Sequence, residues 1–251
     1  EIYRCDWSSD VCSSDLTANI YNLQLVRTAA ERLGGRTTGL PGLAVLYGPA
    51  GWGKTTAAGA VGQERRAYFV QIRSAWTRKA LLEKVLIELS IKPAGTISDM
   101  LDQAATQLAS SGRLLILDEF DYAAEKHYMV ELVRDIYEAS QAKILLIGEE
   151  GLPAKLKRYE RFHSRVLSWI PAQPVSVSDA DALARIYAPD VSLDTDLLEH
   201  VVSIAAGSVR RVSVNLSLIA ETAALEGWER VSRADWGRRE LYTGEAPRRA
   251  A

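Results

Sequence analysis

Sulfur chemistry is nearly absent from this chain. Both of its cysteines, Cys5 and Cys12, fall within the first 16 of 251 residues. The rest of the sequence therefore excludes disulfides, zinc–thiolate clusters and thiol catalysis. Long apolar runs are also missing: none approaches the ~18 residues that a bilayer-spanning helix needs. The N-terminus has no basic region followed by an apolar stretch, so it does not read as a secretory signal. No membrane association and a cytoplasmic location are expected. Strong net charge is lacking too. At −2 overall the chain carries no global basic field, and any contact with nucleic acid must come from a local patch. There is no internal repeat and no low-complexity tract.

What remains is ordinary for a globular protein. The length suggests one large domain, or a core with a small appendage. Asp6 to Leu16 reads like the translation of a DNA-sequencing adapter, so residues 1–16 are expected to be foreign to the fold. From Thr17 onward, helical and strand patterns alternate. Short apolar runs at Leu43–Tyr47, Tyr68–Ile72, Leu114–Leu117, Ile144–Ile147 and Val166–Ile170 read as five buried strands. Between them lie helical patterns at 19–33, from Thr55 to Val61, and at 77–89, 97–109 and 125–140, with Thr96 or Ser98 as a cap for the fourth. Such alternation predicts an α/β core with a parallel five-stranded sheet, covered on both faces. Pro171 and Pro174 punctuate the chain. After them only helices are expected, at 179–187, 194–206, 208–226 and 232–241. The expected organisation is a core over residues 17–172, a small all-helical unit over 173–243 and a loose tail over 244–251.

Two motifs carry chemistry. Gly48-Pro49-Ala50-Gly51-Trp52-Gly53-Lys54-Thr55 fits the pattern G-x-x-x-x-G-K-[ST], follows an apolar strand and opens a helix. Its glycines let backbone N–H groups turn inward around phosphate oxygens, and the helix N-terminus faces the same anion. Lys54 is suited to reach the β- and γ-phosphates of ATP, and the Thr55 hydroxyl to ligate Mg2+. Thr56 competes for that ligand role from one position too late. Trp52 is bulky for such a loop, and a surface or subunit contact suits it better than base stacking. The second motif is Leu114-Leu115-Ile116-Leu117-Asp118-Glu119, an apolar strand ending in two carboxylates. Asp118 is suited to the Mg2+ shell and Glu119 to polarising the attacking water, at the strand ends where open parallel sheets bind ligands.

These motifs, with the helical C-terminal part, resemble the AAA+ ATPases. Within them the chain is most similar to the phage Mu transposition protein B group, over about Thr17 to Arg239. The match rests on Gly48 to Ala58, Leu114 to Tyr122, Arg161 to Val166 and Gly207 to Ala224. The resemblance implies a P-loop AAA+ three-layer core with a helical lid. It implies an oligomer, ring or helical filament, that binds duplex DNA without sequence preference and presents it to a transposase. Helicase loading, and a slow nucleotide-gated scaffold role, are the alternatives. Further residue roles follow from the resemblance. Glu149 stands where the family more often has Asn or another small polar sensor, so either it turns away from the γ-phosphate or it plays a variant role. Arg165, or failing it Arg161, corresponds to an arginine finger for the neighbouring subunit. Arg210, with Arg211 as second choice, corresponds to the lid arginine. Arg73, Arg78 and Lys79 flank Trp76 in the region that faces DNA, and Arg65 and Arg66 are a further candidate pair. Two departures stand out: the sequence starts too late to include the family's N-terminal helix-turn-helix, as expected of a truncated gene model, and its Asp-Glu pair runs on as Phe120-Asp121-Tyr122.

Overall fold

The computed structural model describes residues 18–37 and 39–245. The expectations for residues 1–16 and for the end of the tail, 246–251, lie outside the described residues. In chain order the elements are α1 (Tyr21–Gly34), β1 (Leu43–Tyr47), α2 (Lys54–Glu64), β2 (Tyr68–Gln71), α3 (Arg78–Glu88), α4 (Ile97–Ser111), β3 (Leu114–Asp118), α5 (Asp121–Ala124), α6 (His127–Ser140), β4 (Lys143–Gly148), α7 (Leu152–Lys157), α8 (Glu160–His163) and β5 (Val166–Pro171). They continue as α9 (Val177–Tyr187), β6 (Ser192–Leu193), α10 (Thr195–Ala205), α11 (Val209–Glu226), β7 (Arg230–Val231) and α12 (Arg233–Trp236).

The five long strands pair in the order β2-β3-β4-β1-β5, and every pairing is parallel. Side chains of a strand alternate between faces, and here the alternation sorts the apolar runs into two cores. Ala44 and Leu46 of β1, Ile116 of β3, and Leu145 and Ile147 of β4 face one cluster with α1 and α2. Leu43 and Val45, Leu115 and Leu117, and Ile144 and Leu146 face the other, with α3, α4 and α6. Burial on both faces is why these segments read as continuous apolar runs. The first cluster continues past the sheet into α9, α10, α11 and α12.

Parallel order places the C-terminal ends of β1, β3 and β4 side by side. These are the ends that carry Gly48, Asp118 and Glu149. Thr96 caps α4, its side chain accepting from the Asp99 N–H at 3.1 Å, as one of the two expected caps.

Three expectations need correction. The helix expected over 125–140 begins two residues late, as α6 at His127, because a separate turn of helix, α5, ends at Ala124 and Lys126 is extended between the two. The break is held from outside, because Lys126 Nζ donates to the carbonyls of Ser74 (2.7 Å) and Trp76 (3.2 Å). The C-terminal region is not purely helical, since β6 and β7 form a two-residue parallel ladder, Ser192 with Arg230 and Leu193 with Val231. So short a ladder leaves no alternating pattern to read. The helix expected over 232–241 stops at Trp236, where Gly237 turns the backbone away and the Trp236 indole N–H donates to the Arg239 carbonyl at 3.1 Å.

Candidate active site

The loop from Gly48 to Thr55 connects β1 to α2, with Gly53 as the helix N-cap. Gly51 adopts φ +80°, and a Cβ there would lie 2.8 Å from Ser208 Oγ, so the position accepts only glycine without strain. Lys54 Nζ donates to the carbonyls of Gly48 (2.7 Å) and Pro49 (2.8 Å). Thr55 and Asp118 line the same cleft, and the Thr55 hydroxyl favours the ionised form of the Asp118 carboxylate. Asp118 is buried. Its Oδ1 accepts the Glu119 N–H at 2.9 Å, and Gln71 Nε2 approaches Oδ2 at 3.5 Å. Glu119 sits at φ +55°, a conformation that costs a non-glycine residue on the order of 1 kcal/mol or more and collects at functional sites. The Phe120 N–H is returned to the sheet through the Ile147 carbonyl at 2.8 Å.

Charge and burial are coupled here. Burial pushes Lys54 below the ordinary lysine range, and the carboxylates of Glu119, Asp118 and Glu149 partly offset it. Burial raises Asp118, while the Thr55 hydrogen bond, the Glu119 N–H and Lys54 pull it back. Glu119 is raised by burial first and then by the neighbouring charges of Asp118, Glu149 and Asp121. A cation among carboxylates, a hydroxyl beside an acidic group and a glycine-lined loop suit a Mg2+–nucleotide pair. Thr55 and Asp118 supply hard oxygen donors, and Lys54 supplies the charge for phosphate.

These groups line one cleft of about 400 Å³. Thr56, Glu119 and Glu149 line it as well, so Glu149 is not turned away. Its opposite wall is apolar and comes from both ends of the chain: Ala18, Ile20 and Leu23 beside α1, Leu183, Ile186 and Tyr187 of α9, and Val214 of α11. No motif marks these positions, because three separate helices contribute them.

The C-terminal helices meet the phosphate loop directly. The Gly51 carbonyl accepts the Arg210 N–H at 3.1 Å and the Ser208 hydroxyl at 3.4 Å. Arg210 lines the cleft, whereas the Arg211 guanidinium packs against Gly244, which separates the two lid candidates. Trp52 does not line the cleft and is half-buried. Its ring packs on Gly207, where φ is +83° and a Cβ would lie 2.9 Å from both the indole and Pro174. Asn22, at 3 % exposure, secures the same corner. Its Nδ2 donates to the carbonyls of Trp52 and Gln173, each at 2.8 Å, and its Oδ1 accepts the Gln173 N–H at 2.8 Å. A signal for Asn22 existed: it is a polar residue on the apolar face of α1, beside Leu23 and Val26.

The remaining candidates lie elsewhere. Arg165 precedes β5, its carbonyl accepting from Leu43 at the start of β1 (3.1 Å), and its guanidinium pairs with Glu138. Arg161 is exposed on α8. Both are remote from the cleft of their own chain. Arg73, Arg78 and Lys79 are exposed beyond the end of β2. Arg78 lies 5.7 Å from the Tyr128 ring centroid, and Lys79 approaches Glu83 at 3.9 Å. Arg65 is paired with Glu31 at 2.9 Å and the Arg66 carbonyl accepts from Arg113, both at the far end of the sheet from the cleft.

Residues 37–156 match the family model described as AAA domain. The sheet order and the cleft agree with it. The chain has the P-loop AAA+ fold. Among solved AAA+ structures, the Aeropyrum pernix ORC1 protein in complex with DNA superposes with a TM-score of 0.60 and 21% identity, over 86% of this chain and 63% of that one. CDC6P from Pyrobaculum aerophilum superposes with a TM-score of 0.62 and 18% identity, over 88% of this chain and 68% of that one. The chain thus spans about two thirds of the length of each. No curated protein matches it. Among the described residues, no helix is long and apolar enough to cross a membrane.

Proposed function

We propose that the chain is a Mg2+-dependent ATPase that oligomerises on duplex DNA. The observation that carries the catalytic reading is convergence: Lys54, the Thr55–Asp118 pair, Glu119 and the lid residue Arg210 all line one cleft. When bound, Mg2+ would offset phosphate charge during transfer. The chain's own groups divide the remaining work. Thr55 and Asp118 hold the metal, and Lys54 holds phosphate oxygens. The Glu119 carboxylate takes the proton of the attacking water. Arg210, joined to the Gly51 carbonyl through its own N–H, ties the C-terminal helices to the state of the site. Glu149 stays in reach of Lys54 and acts as a variant sensor. The decisive experiment is ATP hydrolysis with and without duplex DNA and Mg2+. DNA-stimulated, Mg2+-dependent turnover supports the reading, and no turnover under any of these conditions sinks it.

The DNA contact is assigned to Arg73, Arg78 and Lys79. They form an exposed basic ridge, with Trp76 half-buried between them, and suit sequence-blind phosphate contacts. Replacing both Arg78 and Lys79 with alanine is expected to reduce the slope of log affinity against log salt by about 2, one ~0.9 unit per lost phosphate contact. Titrations at several salt concentrations measure it, and an unchanged slope removes the assignment. Arg165, with Arg161 behind it, is assigned as the finger completing a neighbour's site.

The resemblance to the Mu transposition protein B group makes a transposase the first partner. A second reading, a replication ATPase that loads a helicase, is favoured by the superposition on ORC1 and CDC6P. Stimulation of hydrolysis by a purified transposase, against stimulation by a replicative helicase, separates the two.

A further inference from the structure

Asp121 is a buried carboxylate, 5 % exposed, that the catalytic reading leaves without a role. It follows Glu119 by two residues, yet its bonds go to other elements. Oδ2 accepts the backbone N–H of Glu149 at 2.5 Å, at the end of β4. Oδ1 accepts Lys155 Nζ of α7 at 3.2 Å, and the same ammonium reaches Glu125 at 3.3 Å. The approach is close enough that a side chain at Gly148 would run into the Asp121 carboxylate and Leu152. The neighbouring Phe120 ring stacks on Phe162 of α8, with centroids 6.0 Å apart. The segment after Glu119 is thus bolted to the segment after β4 and to the helices beyond it. The Asp121 charge is also felt at both Glu119 and Lys54.

We propose that Asp121 is a positioning residue of the hydrolytic site: through its bonds to the Glu149 N–H and to Lys155, it fixes the end of β4 so that Glu149 faces Lys54. This rests on the ATPase reading above. A buried carboxylate that accepts a backbone N–H and an ammonium forms two charge-assisted bonds. Losing them would free the Glu149 backbone while leaving Lys54, Thr55 and Asp118 in place. Asp121 is not among the residues that line the cleft and acts through Glu149.

The test is Asp121→Asn in the full chain, which keeps the shape of the side chain and removes its charge. The amide has a single acceptor oxygen for two donors, the Glu149 N–H and the Lys155 ammonium, so one of them meets the NH2 group donor to donor and the charge that held both is gone. Two readouts are needed. In the protein without nucleotide, amide hydrogen exchange at Glu149 is expected to quicken by about tenfold or more while the core strands keep their protection. In hydrolysis, kcat is expected to fall by about 10–100-fold with affinity for a fluorescent ATP analogue held, as for a misplaced group outside the binding contacts. If Asp121→Asn does not fold, Lys155→Met replaces it, with the same two changes expected in smaller measure. A folded variant with unchanged exchange at Glu149, or with affinity and kcat lowered together, overturns the proposal. Wild-type protein without turnover would sink the ATPase reading instead, and the exchange measurement would still decide whether Asp121 holds Glu149.

Discussion

Glu119→Gln is expected to bind ATP as the wild type does and to hydrolyse it about 10²–10⁴-fold more slowly. The isosteric amide keeps the hydrogen-bonding shape at the end of β3, including the left-handed backbone at this position, but it cannot take a proton. Lys54 and the Thr55–Asp118 pair are untouched, so affinity is held. Single-turnover hydrolysis, beside equilibrium binding of a fluorescent analogue, makes the comparison. A variant that still turns over would move the base to another residue, with Glu149 next in line because it lines the same cleft. The pH dependence carries the same signature. Burial and the charges of Asp118, Glu149 and Asp121 raise the Glu119 pKa. A base must be ionised, so a raised pKa means that activity is lost earlier on acidification. The acid limb of kcat/KM, which reports the free enzyme, is expected above the ordinary glutamate range and should vanish from the residual activity of Glu119→Gln.

Arg165→Ala is expected to lower kcat by about 10³-fold or more, as for loss of an arginine finger, while each protomer still binds ATP. On the proposed finger role the effect has to cross between subunits, because Arg165 is remote from the cleft of its own chain. Arg165 is bonded at the start of β1, and the phosphate loop begins at the strand's other end. Five residues at about 3.3 Å each put roughly 16 Å between them, beyond the reach of one arginine side chain. A mixture of Arg165→Ala and Glu119→Gln protomers is therefore expected to recover part of the lost turnover. In mixed assemblies a site with an intact Glu119 meets a neighbour with an intact Arg165. Full activity of Arg165→Ala alone would remove this assignment and move attention to Arg161. Arg165 now pairs with Glu138, both partly exposed, a kind of pair that contributes little to stability. The substitution should therefore leave folding intact and report on function.

Much of this was legible in the sequence, for identifiable reasons. The central strands β1, β3 and β4 are buried on both faces, so composition alone marks them, and Gly48 to Thr55 and Asp118-Glu119 are short contiguous motifs that the parallel sheet brings to one cleft. What was not legible depends on contacts between distant segments. The interruption at Lys126 is set by carbonyls of the loop after β2, some fifty positions earlier. The β6–β7 ladder is too short to leave a pattern. The apolar wall of the cleft is assembled from α1, α9 and α11, and the place of Trp52 follows from Gly207, a residue of the other end of the chain. Asp121 looked like an irregular continuation of the Asp-Glu pair. Its meaning depends on the Glu149 backbone and on Lys155, neither of which its own neighbourhood announces.

The apolar cluster beneath α1 and α2 does not stop at the edge of the sheet but runs on through α9 to α12. Packing that is continuous in this way makes melting cooperative, so heat should disrupt the sheet and the C-terminal helices together rather than in sequence. For the same reason, energy from a ligand held in the cleft is shared by the whole chain. At a hundredfold excess over its dissociation constant, a bound nucleotide adds about 2.7 kcal/mol to the stability of every element at once.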